Sequence, residues 1–113
     1  MTETIKSIIE WHEQTFPNAT LEGQEQKYQD KLQELAESNY KDITELADMF
    51  IVACGICRFS LTQGMTAFWK VADLAGGMLL IREQFDAAVN EKMAINRNRK
   101  WDYNKGYYQH IDE

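Results

Sequence analysis

The acidic side chains best placed to do chemistry lie in two short segments of the chain. Glu34 and Glu37 are one helical turn apart, and so are Glu45 and Asp48. Asp48 stands out because it is the one charged residue in positions 46–57, an otherwise apolar run that is typical of a buried helix. A buried carboxylate without a partner is costly, so Asp48 needs a cation, a metal ion or a proton.

The positions of these four acids predict a common site. If the two helices that carry them run antiparallel through a short turn, Glu34 lies level with Asp48 and Glu37 level with Glu45. Four carboxylates in one place repel each other unless a hard divalent cation lies among them. Mg²⁺ prefers such all-oxygen ligands, and Mn²⁺ accepts them too. We therefore expect an antiparallel helical hairpin that carries an acidic metal site.

The periodicity of the first of these helices also supports a different interpretation. Glu34 and Glu37 point away from the apolar stripe of their own helix, which is typical of a solvated face. In that case only Asp48 needs a partner, and Arg58 or Lys70 is a candidate for it.

A cationic segment near the end of the chain is the second candidate site. Residues 92–101 contain four cations and one tryptophan, and the planar guanidinium group of arginine suits phosphate oxygens. Favourable charge near a helix C-terminus would explain the same cations without a ligand. Beside an acidic metal site, however, the cations would complete a site for a polyphosphate.

The pattern of apolar residues predicts an all-α fold of four to five helices that positions these segments. We expect helices over about 3–15, 20–38 and 42–59, with Thr20 as an N-cap and a break at Gln63 and Gly64. A further apolar segment covers 65–81, with a kink or break at Gly76 and Gly77, and a last helix runs from about 82 to 96 or beyond. The tail from about 102 is expected to be short and irregular.

Length and composition limit the classes of protein to consider. A chain of 113 residues predicts one domain over 1–113. The net charge of −6 disfavours binding to a nucleic-acid polymer or an anionic membrane. We expect a cytoplasmic protein, because the sequence contains neither a signal peptide nor a membrane span. Cys54 and Cys57 are interpreted as buried apolar side chains rather than a metal or redox pair.

These motifs together resemble the MazG-like all-α nucleoside triphosphate pyrophosphohydrolases. The family pattern E-E-x-x-E followed by E-x-x-D is similar to Gln33-Glu34-x-x-Glu37 and Glu45-x-x-Asp48. The C-terminal residues look like a bacterial and phage subgroup associated with dATP and dGTP; they are Lys92, Met93, Asn96, Arg97, Arg99, Trp101, Gly106, Tyr107 and His110. The resemblance spans about 11–110, and Gln33 departs from the pattern where the family often has its first Glu.

The resemblance implies a Mg²⁺-dependent hydrolase, with Mn²⁺ as a possible substitute, in which water attacks the α-phosphorus of a (deoxy)nucleoside triphosphate. The products would be a monophosphate and pyrophosphate, and a purine substrate, dGTP or dATP, would be favoured. By the same resemblance the metal ligands are Glu34, Glu37, Glu45 and Asp48. The residues that hold the phosphates are, by this resemblance, Lys92, Asn96, Arg97 and Arg99. Glu34 or Glu37 would activate the water, and the nucleobase would stack on Trp11, Phe16 or Trp101.

The resemblance and the apolar helices also imply a homodimer or homotetramer, because so short a chain cannot cover them alone. The alternative functions are a non-catalytic helical interaction module and a nucleotide sensor with poor turnover. The absent first Glu, at Gln33, is the feature that favours the sensor.

Overall fold

Five α-helices and one β-hairpin make up the part of the chain that the computed structural model describes, which is residues 2–104 and 107–111. The helices are α1 (Ile5–Thr15), α2 (Leu21–Glu37), α3 (Ile43–Phe59), α4 (Leu61–Gly77) and α5 (Arg82–Asn98). Strands β1 (Trp101–Asn104) and β2 (Tyr107–His110) pair antiparallel. The prediction of an all-α fold of four to five helices is confirmed.

Polar side chains begin four of the five helices. Thr4, Thr20, Asp42 and Ser60 each accept a hydrogen bond from a backbone N–H of the first turn, at 2.9 to 3.3 Å. Each cap satisfies a donor that the helix itself leaves unpaired. The predicted cap at Thr20 is thus confirmed, and it fixes where α2 begins.

Helix α3 lies at the centre of the bundle. It packs against α1, α2, α4 and α5, and ten of its 17 residues are buried. A helix that is apolar on all sides needs neighbours on all sides, so the prediction that Asp48 lies on a buried helix is confirmed. Phe50, Phe68 and Phe85 border both hydrophobic clusters and join them into one core.

The turn between α2 and α3 brings the acidic segments together. Residues 39 and 40 have positive φ angles of 64° and 57°, and this left-handed step ends α2 and reverses the chain. Helix α3 then runs back along α2, with Lys31 beside Asp48 and Glu34 beside Glu45. The predicted antiparallel hairpin is confirmed. Its predicted register, with Glu34 level with Asp48 and Glu37 level with Glu45, is wrong by about one helical turn, because the chain reverses at residues 39 and 40.

The boundary between α3 and α4 lies earlier than the sequence suggested. Ser60 ends α3 and begins α4, so the predicted break at Gln63 and Gly64 is wrong. Gly64 is buried inside α4, where a Cβ atom would lie 2.8 Å from the Cα of Cys57. The glycine therefore permits close packing of two helices rather than a break. Gly77, by contrast, is the last residue of α4, as predicted.

The described part of the C-terminal tail contains two strands, so the prediction of an irregular tail from about 102 is wrong there. Its strands form a hairpin in which Tyr103 pairs with Tyr108. Tyr108 is buried, and its hydroxyl accepts a hydrogen bond from the backbone N–H of Asn18 at 3.1 Å. Alternating aromatic side chains supply the packing that a four-residue strand needs. The hairpin thereby places Trp101 against the aromatic residues that follow α1.

The helices are short relative to a lipid bilayer. Helix α1 has 11 residues and each of the other four has 17, whereas a membrane span needs about 20 apolar residues. Within the described ranges, no helix is long and apolar enough to cross a membrane. The cytoplasmic placement stays a prediction.

Candidate active site

One cavity collects most of the predicted site residues. It has a volume of about 540 Å³, within the range of small-molecule sites. Its walls come from α1, α2, α3, α5 and the hairpin. The polar and charged residues that line it are His12, Gln24, Lys27, Asp30, Lys31, Glu34, Glu45, Asp48, Lys92, Asn96, Arg99, Gln109 and His110. The apolar and aromatic ones are Trp11, Phe16, Ile51, Val52, Trp101 and Tyr108.

Three of the four predicted metal ligands converge here around a lysine. The ammonium nitrogen of Lys31 lies 3.1 Å from Glu34 Oε2, 3.4 Å from Asp48 Oδ2 and 3.9 Å from Glu45 Oε2. Asp48 is 6% exposed and Glu45 is half-buried, whereas Glu34 is exposed. The cation that neutralises these acids in the structure is therefore Lys31, which the sequence interpretation did not include.

Glu37 does not join this group. It lies two residues beyond the buried Leu35, about 200° around α2, and its side chain is exposed. Gln33 donates a hydrogen bond to Glu37 Oε1 at 3.3 Å on this outer face. The alternative interpretation, a solvated face, thus describes Glu37. Glu34 is exposed as well, but it also lines the cavity and pairs with Lys31.

A hydrogen bond between Glu34 and Glu45 separates the pKa values of these two carboxyls. Burial and the bond to Glu34 raise the pKa of Glu45 from 4.5 to about 7, with Lys31 acting in the opposite direction. The hydrogen bond from Glu45 lowers the pKa of Glu34, and Lys31 lowers it further. The pKa values of the two carboxyls are therefore moved apart, Glu45 upward and Glu34 downward.

Two lysines neutralise Asp48. Lys31 Nζ lies 3.4 Å from Asp48 Oδ2, and Lys92 Nζ lies 3.4 Å from Asp48 Oδ1. Burial lowers the pKa of Lys31, but the charges of Asp48, Glu34 and Glu45 outweigh burial and hold it above the usual value. These lysines, and not Arg58 or Lys70, are the partners that a buried Asp48 requires.

The three carboxylates retain capacity to bind a cation. Among the described residues, Glu45 Oε2 and Asp48 Oδ2 are buried side-chain oxygens with no hydrogen-bond partner. Unpaired carboxylate oxygens are the donors that Mg²⁺ and Mn²⁺ prefer. In the same ranges, however, no group of three or more His, Cys, Asp or Glu side chains is already arranged to hold a metal ion. Lys31 would have to move before an ion could bind.

The cationic segment of α5 divides between the cavity and the outer surface. Lys92, Asn96 and Arg99 line the cavity, and Arg99 Nη1 donates to Asn96 Oδ1 at 3.4 Å. Arg97 faces away and forms a bidentate ion pair with Glu3, with contacts of 2.7 and 2.9 Å. Three of the four predicted phosphate ligands are thus brought together, and Arg97 instead ties α5 to the start of the chain.

A lysine and an aromatic wall complete the cavity. Lys27 Nζ lies 5.0 Å from the Trp101 ring centroid and 5.5 Å from that of Phe16. Burial, and then the charge of Lys31, lower the pKa of Lys27 from 10.5 to about 8. Trp11 and Phe16 are buried, whereas Trp101 is half-buried. Trp101 is therefore the aromatic side chain of the predicted set that a ligand can reach most easily.

His12 is a buried, neutral side chain and does not lie on the exposed face of helix α1. It is 2% exposed, and burial together with the charge of Arg58 lowers its pKa from 6.5 to about 4, although Gln24 acts in the opposite direction. The two cysteines were interpreted as buried apolar side chains. Cys54 is buried, whereas Cys57 is only half-buried, and both are free thiols. Burial raises the pKa of both thiols.

Three cavity residues on α2 were missed from the sequence. Gln24, Lys27 and Lys31 lie at helical spacing and share a face with the buried Tyr28 and Leu35. This face turns toward α3, so a helical projection centred on the buried stripe could have found them. The spacing of the acidic residues alone does not indicate these three side chains.

Comparison with known proteins gives no match. No family model matches the chain, and no curated protein or solved structure is similar enough to count as one. The resemblance to the MazG-like family therefore stays a prediction that rests on the motif residues.

Proposed function

We propose that this protein is a Mg²⁺-dependent (deoxy)nucleoside triphosphate pyrophosphohydrolase that releases a monophosphate and pyrophosphate. The observation that carries the proposal is one cavity in which carboxylates of α2 and α3 face cations of α5. Acids for a metal ion and cations for phosphates are the two halves of a polyphosphate site. A volume of about 540 Å³ suits a ligand of this size.

Glu34, Glu45 and Asp48 would hold the metal ion. Support comes from their convergence on one point and from two oxygens, Glu45 Oε2 and Asp48 Oδ2, that have ion pairs to Lys31 but no hydrogen-bond partner. When bound, Mg²⁺ supplies a Lewis acid and lowers the pKa of a coordinated water. Mn²⁺ suits the same oxygens. Lys31, displaced from the carboxylates, would lie close enough to turn its charge toward the phosphates.

The chain's own residues would orient the substrate. Lys92 and Arg99 would pair with the phosphate oxygens, with Asn96 positioning Arg99. Glu34, the predicted base that faces the cavity, would orient the attacking water and take its proton. A new P–O bond forms at the α-phosphorus as the bond to the bridging oxygen breaks, and pyrophosphate leaves with the electron pair. Trp101 would stack on a purine base, guanine or adenine.

Product analysis tests this proposal. Purified protein is incubated with dGTP or dATP and Mg²⁺ in ¹⁸O-labelled water, and phosphorus NMR follows the products. We expect pyrophosphate and a monophosphate that carries the label, with no reaction in EDTA. Asp48→Asn and Glu45→Gln should lose turnover, whereas the exposed Glu37→Gln, the matched control, should retain it. Orthophosphate as the first product, or label in pyrophosphate, would contradict attack at the α-phosphorus.

One observation favours a second candidate function, a nucleotide-binding sensor without turnover. Lys31 already neutralises the acids, so the cavity can accept a nucleotide while no metal ion enters. Nucleotide binding that is insensitive to EDTA, without products, would support the sensor. A helical interaction module would bind no nucleotide at all.

We also propose a homo-oligomer, the simplest form being a homodimer built through α4. Leu61, Met65 and Trp69 form an exposed apolar stripe at helical spacing, and they are 70%, 47% and 70% exposed. Helix α4 packs chiefly on α3, which leaves this stripe uncovered within one chain. A second copy that presents the same stripe would cover both faces by two-fold symmetry.

A further inference from the structure

Two polar side chains lie buried at the aromatic side of the cavity. His12 and Gln24 line it, and each is only 2% exposed. The His12 ring packs against Phe16 with the ring centroids 4.9 Å apart. Polar groups buried to this degree are normally hydrogen-bonded, so an unpaired one points to a missing partner.

His12 Nε2 is such an atom, because it is buried and has no well-formed hydrogen bond to any described residue. The side chain of Gln24 lies on the same side of Gly55. A Cβ atom placed on Gly55 would lie 2.7 Å from His12 Nε2 and 2.8 Å from Gln24 Oε1. The imidazole nitrogen and the amide oxygen therefore both lie over Gly55, in a space that only glycine leaves open.

Arg58 determines which nitrogen of His12 carries the proton. Arg58 Nη1 donates to the backbone oxygen of Phe16 at 2.8 Å and lies 3.2 Å from His12 Nδ1. A guanidinium group has donors and no acceptor, so Nδ1 must accept. In a neutral imidazole the proton then lies on Nε2, which faces Gln24.

The proton on His12 Nε2 determines the orientation of the Gln24 side-chain amide. An N–H group attracts the amide oxygen and repels the NH₂ group, so Nε2–H favours the orientation of Gln24 in which Oε1 faces His12, although the two atoms form no well-aligned hydrogen bond. The NH₂ group of Gln24 is then directed away from His12. Because the side chain lines the cavity, a ligand meets a hydrogen-bond donor there.

We propose that Gln24 selects the nucleobase by donating a hydrogen bond to an oxygen on the edge of a base stacked against Trp101, with Arg58 and His12 as positioning residues. The assignment rests on the proposed function, since it assumes a nucleotide in this cavity. The 6-oxopurines present an oxygen at this edge, whereas adenine presents an amino group. An amino group facing the NH₂ of Gln24 leaves two donors unpaired, which disfavours adenine.

Equilibrium binding measures this selection without turnover. The full-length protein is titrated with non-hydrolysable α,β-imido analogues of dITP and dATP in Mg²⁺, and the fluorescence of Trp11 and Trp101 reports binding. Their bases, hypoxanthine and adenine, differ at the 6-position edge that would face Gln24, and both lack the 2-amino group of guanine. We expect the dITP analogue to bind at least tenfold more tightly.

Variants of Gln24 and His12 then test the assignment. Gln24→Leu should weaken binding of the dITP analogue and reduce the ratio of the two affinities to within about twofold. Gln24→Glu replaces the donor by an acceptor and should make the dATP analogue bind more tightly than the dITP analogue. His12→Phe should reduce the preference for the dITP analogue over the dATP analogue, because the Gln24 amide would be free to rotate. Gln29→Leu, at an exposed glutamine on the same helix, is the matched control and should keep the preference.

The outcomes separate the two proposals. Binding of both analogues with equal affinity, tighter binding of the dATP analogue, or a preference that survives Gln24→Leu would overturn the assignment of Gln24 and leave the polyphosphate site standing. Binding of neither analogue would overturn the proposed function and this inference together. Circular dichroism identifies any variant that fails to fold, and Gln24→Glu provides a test by gain of affinity for adenine.

Discussion

Replacing Lys31 with methionine should change protein stability and metal affinity in opposite directions. Lys31 lies 3.4 Å from Asp48, and at an effective dielectric constant of about 20 this single attraction is worth about 5 kcal/mol. Burial of the ammonium group and the remaining Lys92 offset much of it. We therefore expect Lys31→Met to lower the free energy of unfolding of the metal-free protein by about 1–2 kcal/mol.

The same free energy should reappear as tighter metal binding. In the native chain an ion must first displace Lys31, and the lost ion pairs weaken its apparent affinity. Lys31→Met removes this competition, so Mn²⁺ should bind about five- to thirtyfold more tightly, the equivalent of 1–2 kcal/mol. Native and variant proteins saturated with Mn²⁺ should then have nearly equal unfolding free energies.

Urea unfolding with EDTA or saturating Mn²⁺, together with calorimetric titration of Mn²⁺, measures both quantities. Lys70→Met is the matched control, because it removes one exposed positive charge outside the cavity and should alter Mn²⁺ affinity less than twofold. Unchanged or weaker Mn²⁺ binding by Lys31→Met would refute the idea that lysine and metal ion compete for the same carboxylates.

Three further predictions concern other parts of the fold. The pKa of His12 is lowered from 6.5 to about 4, so stability is full above pH 6.5 and should fall by up to about 3 kcal/mol as the pH drops toward 4; urea unfolding of His12→Asn should show a flatter pH dependence. Gly55→Ala should destabilise by about 1–3 kcal/mol because its Cβ meets His12, whereas Gly76→Ala, which meets nothing within 4 Å, should stabilise by up to about 1 kcal/mol in thermal unfolding. Light scattering should find Trp69→Glu monomeric and Gln63→Glu, on the opposite side of α4, still oligomeric; a monomeric native chain would contradict the α4 interface.

Much of the fold could be read from the sequence because local signals agreed with each other. Apolar periodicity and the threonine at position 20 predicted the start of α2, and the apolar run around Asp48 predicted a buried helix. The misplaced break at Gly64 shows the limit of such reasoning. A glycine inside a helix can reflect close packing against a neighbour, and that neighbour is invisible in a local window.

The site was predicted in part for similar reasons. Spacing predicted that Glu34, Glu45 and Asp48 meet, and the periodicity of α2 offered an outer face for both Glu34 and Glu37, but neither pattern could show that only Glu37 stays out of the cavity. Arg97 pairs with Glu3, which is 94 positions away in the chain, and no short-range pattern contains that contact. Long-range pairing of surface charges depends on how elements dock, which the amino-acid pattern of either element alone does not determine.

The order in which the chain is synthesised gives the C-terminal hairpin a particular consequence. The acidic helices leave the ribosome before the hairpin that carries Trp101 and Tyr108. A nascent chain therefore carries its carboxylates before the hairpin covers one side of the cavity. A chain that terminates before residue 101 would lack Trp101, the aromatic side chain of the predicted set that a ligand can reach most easily.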